Sequence, residues 1–165
     1  MKHSTKKMTT LALLVAVAMI LSYVESLIPP LAAIPGVKIG LSNIATVFAL
    51  YALGWQSAIC VSLVRVSLSA LLFGNFVGFI YSFSGAILAL VVMILLTRLP
   101  LFSTVGVSVA GGVMHNAGQV LAAALVMRSG EIIYYLAPLA VSGTVAGVAV
   151  GIAGGLLAER IKKYI

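Results

Sequence analysis

Arg65 is the residue whose position most needs a chemical reason. It stands inside an apolar run at 57–72, where a charge in the bilayer costs about 2.5 to 3.5 kcal/mol on insertion scales. Such a charge needs a partner or a wet cavity. Two readings fit: a structural pairing with a carbonyl or with Glu25, or a contact with an anionic group on a ligand, which suits the forked donors of a guanidinium.

A second polar group lies in the run 105–127, as Ser108, His115, Asn116 and Gln119. Positions 108, 115 and 119 are seven and four apart and share one helical face. The stripe serves either as hydrogen-bonding glue between helices or as a polar wall of a site. Weaker patches at 40–43, containing Asn43, and at 81–85, containing Tyr81, Phe83 and Ser84, fall at a similar depth. If all face one interior, Asn43, Arg65, Ser84, His115, Asn116 and Gln119 orient a small polar or anionic ligand and Tyr81 and Phe83 supply apolar walls. Glu25 sits near the end of the first apolar run, level with Lys38, as either a surface ion pair or a ligand contact.

Several chemistries lack their residues. The chain has no Asp and only three Glu, at 25, 131 and 159, so paired carboxylates and magnesium diphosphate sites have no donors. There is no phosphate-binding glycine loop and no Ser-His-acid set within reach. Cys60 is alone, and His115 has no Cys or acid beside it, so no disulfide, metal site or cofactor is expected. The expectation is a binding protein rather than an enzyme.

These residues are embedded in a chain that is 62% hydrophobic and 8% charged, too few charges to clothe a soluble domain. Breaks at Pro, Gly and charge divide it into six candidate spans, 8–28, 39–53, 57–72, 77–97, 105–127 and 132–158, joined by short loops. The expected architecture is all-α, a single integral membrane domain, since period-two alternation is absent and only helices then satisfy the backbone in lipid. The first span is long and lacks a small-x-small cleavage pattern, so it reads as a retained helix rather than a signal peptide. The formal charge of +7 is concentrated at the ends, with Lys2, Lys6 and Lys7 before the first span and Arg160, Lys162 and Lys163 after the last. With six spans both clusters and Arg98 fall on one side, which the positive-inside rule makes cytoplasmic. Without interleaved aromatics the clusters are not a nucleic-acid footprint.

Gly143, Gly147, Gly151 and Gly155 recur every four residues in the last span and form a stripe for close helix approach, either within the chain or to a partner subunit. Ala12 and Ala16 form a weaker pair of the same kind in the first span.

The strings Lys-Ile-Gly-Leu-Ser-Asn-Ile at 38–44, Arg65, Ile-Tyr-Ser-Phe-Ser at 80–84 and Gly-Val-Ser-Val-Ala-Gly-Gly-Val-Met-His-Asn-Ala-Gly-Gln at 106–119 resemble the Gx transporter family. That family is also described as heptaprenyl diphosphate synthase component I. It is similar in turn to the substrate-binding S components of energy-coupling factor transporters, which are six-helix bundles. The resemblance implies partners, a transmembrane coupling subunit and ATPase subunits, with Ala12 and Ala16 at the positions that contact the coupling subunit. The alternative it implies is a non-catalytic scaffold beside heptaprenyl diphosphate or quinone synthesis, or electron transfer. The synthase name conflicts with the absence of the Asp-rich motifs on which prenyl synthases hold magnesium.

Overall fold

The computed structural model describes residues 2–28 and 39–161, and among these every regular element is helical. Lys38, Lys162 and Lys163 lie outside the described residues, so the expected pairing of Lys38 with Glu25 does too. The helices are α1 (Lys2–Leu27), α2 (Asn43–Ala52), α3 (Trp55–Phe73), α4 (Phe76–Leu96), α5 (Thr104–Met127) and α6 (Leu136–Ile161), with a 3₁₀ turn at Gly130–Tyr135 before α6. Five segments are long and apolar enough to cross a membrane, and α2 is a shorter apolar helix. The fold is an all-α six-helix membrane bundle.

The punctuation of the sequence sets the boundaries. Gly54 has φ 93°, a left-handed value that favours glycine, and turns the chain from α2 into α3. Asn75 caps α4 by accepting from the Gly78 N–H at 2.7 Å, and Ser103 caps α5 by accepting from the Gly106 N–H at 3.2 Å. Arg128 closes α5 in the left-handed conformation at φ 50°.

One span is shorter than its hydropathy suggests. The apolar stretch at 39–53 is already short for a candidate span, and α2 is shorter still: it begins only at Asn43 and has 10 residues, about 15 Å or half a bilayer core. Gly40 at φ 78° bends the approach to it. Ala45 to Leu50 are buried on every side, so α2 is apolar because it is a plug in the bundle, not because it faces lipid. Arg65, ten residues beyond the start of α3 at Trp55, bonds to Ser42 and Asn43, which places the first turn of α2 near the middle of α3.

Packing elsewhere depends on small residues. A methyl added at Gly147 would stand 2.6 Å from Val109 Cα, and one at Gly151 would stand 2.8 Å from Val105 Cα, so α6 lies directly against the backbone of α5. On the other side of α5, a methyl at Gly118 would meet Gly85 Cα of α4 at 2.8 Å. Gly143, Gly147 and Gly151 are buried and Gly155 faces Thr104. This corrects the partner-subunit reading of the stripe: α5 occupies it. Ala12 and Ala16, by contrast, lie on an exposed face of α1, which packs on α2 and α3 through residues such as Leu11, Leu14 and Ala18.

Candidate functional site

Because α2 stops halfway, the other helices enclose a space above its first turn, and all six contribute to it. The result is a cavity of about 490 Å³ reaching from Arg65 toward the α3–α4 turn at Gly74 and Asn75. Its lower wall is polar. Arg65, only 8% exposed, donates from Nη1 to Ser42 Oγ at 2.8 Å and from Nη2 to Asn43 Oδ1 at 3.2 Å, while its Nε has no bonding partner among the described residues. Both acceptors are neutral, so hydrogen bonds hold the guanidinium in place without neutralising its charge.

Glu25 lines the cavity on the α1 side and accepts from the Gly40 N–H at 2.5 Å. Glu25 and Arg65 thus hold two points, Gly40 and Ser42, of the bent approach to α2. The direct bonds of Arg65 go to a hydroxyl and an amide rather than to a carbonyl, and the expected Glu25 partner acts on it through space as a nearby opposite charge.

On α5, Gly112, His115, Asn116 and Gln119 line the cavity at the spacing of one helical face. Asn116 donates from Nδ2 to the Leu139 carbonyl of α6 at 2.5 Å and is also close to Gly143, where a methyl would approach Nδ2 to 2.9 Å. Asn116 is therefore interhelical glue as well as cavity wall. Gly85 lets α4 approach closely enough that a methyl there would lie 3.1 Å from His115 Nδ1 and 3.0 Å from Gln119 Cγ, so both side chains are confined from behind.

Of the residues expected from sequence, Asn43, Arg65, His115, Asn116 and Gln119 come together on this cavity, and Tyr81 and Ser84 do not line it. The face of α4 that does is Asn75, Gly78, Phe79 and Ser82. Counting in threes and fours from the Asn75 cap gives this register, and the patch at 81–85 gives the wrong one by a residue. Phe79 is the aromatic wall in place of Tyr81 and Phe83, and Phe83 packs against it with ring centroids 5.1 Å apart. Sequence reasoning also missed Ser22, whose buried hydroxyl is bonded by no group among the described residues, and Phe73. Ser108 lies deeper, off the main cavity.

The arrangement offers a fixed guanidinium, an imidazole, amides and hydroxyls above an apolar bundle, which is a set of groups for holding an anionic or polar molecule. Among the described residues no three His, Cys, Asp or Glu cluster as a metal site would need.

A multi-pass helical membrane protein with a polar cavity enclosed among its helices is the class that fold and site define. Within it, the chain belongs to the family described as heptaprenyl diphosphate synthase component I, whose sequence model matches residues 14–157. No curated protein and no solved structure matches it.

Proposed function

We propose that this protein is the substrate-binding subunit of an energy-coupling factor type transporter, capturing a small polar or anionic molecule in the cavity beneath Asn75. The observation that carries the reading is Arg65: a buried guanidinium bonded only to neutral groups, with one unpartnered N–H, on the wall of a ligand-sized cavity. A bound anion would add a directly bonded countercharge to the more distant one that Glu25 supplies. The chain works as one membrane domain with both termini cytoplasmic, so that the cavity opens outward. It is not itself an enzyme, and with no nucleotide-binding motif of its own it depends on partners, a transmembrane coupling subunit and ATPase subunits. The exposed face bearing Ala12 and Ala16 is where the coupling subunit docks.

The test is titration of the protein in mild detergent with candidate vitamins and prenyl diphosphates. Saturable binding is expected for one class, weakened roughly tenfold or more by Arg65→Gln, in keeping with hydrogen bonds to charged groups of about 1.5 to 3 kcal/mol. No saturable binding, or binding indifferent to Arg65→Gln and Asn116→Ala, counts against the proposal.

The family's description favours a second reading, a non-catalytic membrane component associated with heptaprenyl diphosphate synthesis. Affinity purification from the native membrane separates the two. Co-purifying ATPases and a coupling subunit support transport, and a soluble prenyl synthase or redox protein supports the scaffold.

A further inference from the structure

Beneath the main cavity lies a second chamber of about 40 Å³. The two share Gly40, Asn43, Gly112, His115 and Ala146, so the chamber continues the cavity away from its mouth. The remaining wall lies further from the Asn75 turn: Thr46 follows Asn43, Ser62 precedes Arg65 and Ser108 precedes Gly112.

Most of that wall is apolar, with Val47, Leu90, Met93 and Val150 on it. Three hydroxyls interrupt it, those of Thr46, Ser62 and Ser108, in residues 2%, 3% and 3% exposed. A threonine or serine buried in a helix can donate back to the preceding turn, as Ser57 does to the Leu53 carbonyl and the part-buried Ser142 to the Leu139 carbonyl. Thr46 does not: its Oγ1 is buried and no group among the described residues bonds it. A buried hydroxyl away from water requires a partner. The chamber has room for one, since a single water needs roughly 10–15 Å³ of such space and two or more polar neighbours. The charges around the chamber favour an uncharged guest: among the described residues no carboxylate, guanidinium or ammonium lines it, His115 at the junction with the main cavity is its one titratable side chain, and Arg65 stands close above to repel a cation.

We propose that this chamber is a polar annex of the capture site. It holds water when no cargo is bound, and with cargo it receives a slim uncharged hydrogen-bonding group such as a hydroxyl, carbonyl or amide. The cargo half rests on the capture reading above, whereas the water half does not. Together they define a cargo with an anionic group at the level of Arg65 and a neutral oxygen- or nitrogen-bearing end only a few atoms away.

Two measurements on the full chain in detergent decide it. In the first, Thr46→Val, similar in shape but without the hydroxyl, is compared with the wild type by thermal unfolding without added ligand. A hydrated chamber predicts a Tm lower by roughly 2–4 °C; a dry chamber makes the hydroxyl a liability, and a higher Tm overturns the proposal. In the second, the proteins are incubated with a small-molecule extract of the expressing cells, and what they retain is read by mass spectrometry. The wild type is expected to retain one species, with roughly tenfold less on Thr46→Val and little on Arg65→Gln. Retention lost on Arg65→Gln but unchanged on Thr46→Val overturns the annex and leaves capture standing. A wild-type chain that retains nothing overturns capture and the cargo half together, and the unfolding comparison still decides the water half.

Discussion

The chemistry of Arg65 sets a conflict between stability and function in a single side chain. Its guanidinium is buried, bonded to Ser42 and Asn43, and left without a directly bonded carboxylate. Replacing such a charge with an apolar chain of similar length is often neutral or stabilising, because desolvation outweighs bonds to neutral acceptors. Arg65→Met is therefore expected to leave the Tm in detergent unchanged or raised while abolishing ligand binding. A Tm lower by several degrees, together with exposure of the α2 approach to proteolysis near Gly40, would make Arg65 chiefly a clamp on that segment. The residue was legible in the sequence because a charge in an apolar span has few innocent explanations, and His115, Asn116 and Gln119 were legible for the same reason. Tyr81 and Ser84 misled because polarity locates a patch along a helix but not its rotation: of the patch at 81–85 only Ser82 turns to the cavity, and Tyr81 and Ser84, one and two residues away, do not.

At the scale of elements, the glycine stripe of α6 illustrates how far spacing can be read. Small residues every four positions specify close approach of another backbone; they carry no information about whose backbone it is, and here α5 of the same chain occupies the stripe. Gly147 is its tightest point, where a methyl would come within 2.6 Å of Val109 Cα. Backbone cannot yield as a flexible side chain does, so Gly147→Val must separate the helices, at a cost of about 1 to 3 kcal/mol. The expected Tm loss is several degrees, with Val148→Leu, on the exposed face, unchanged. A silent Gly147→Val would mean that α5 and α6 are not in register as described. That the second span is short was legible, but its burial inside the bundle was hidden for a related reason. Hydropathy cannot distinguish residues facing lipid from residues facing other helices, and Ala45 to Leu50 are apolar on the second account. That misreading matters, because the cavity exists only where α2 is missing.

For the whole molecule, six helices were legible from length, breaks and charge, and sidedness is the property on which the capture reading turns. The cavity end carries the Asn75 turn and the 3₁₀ turn, where Tyr134 is 83% exposed, and the opposite end carries Leu101, 87% exposed. With Cys60, the one cysteine, changed to Ala, a membrane-impermeant maleimide should label Tyr134→Cys in intact cells and Leu101→Cys only after permeabilisation. The reverse pattern would open the cavity to the cytoplasm and remove import as its purpose.

The same global view isolates α1. It packs on one side only, against α2 and α3, and leaves Ala12 and Ala16 exposed on the other amid Leu13, Val17 and Ile20. Substituting both alanines by Leu adds apolar bulk on a face that is exposed among the described residues, so fold and ligand affinity should be untouched. In lipid a small-residue face gives no advantage unless another helix approaches it, so the same double substitution should sharply reduce co-purification of a coupling subunit. If Ala12→Leu with Ala16→Leu instead lowers the Tm of the isolated protein, the face is closed by this chain in the membrane. If co-purification persists at wild-type levels, the partner docks elsewhere, and the half-exposed α1 is simply the helix that meets the bilayer.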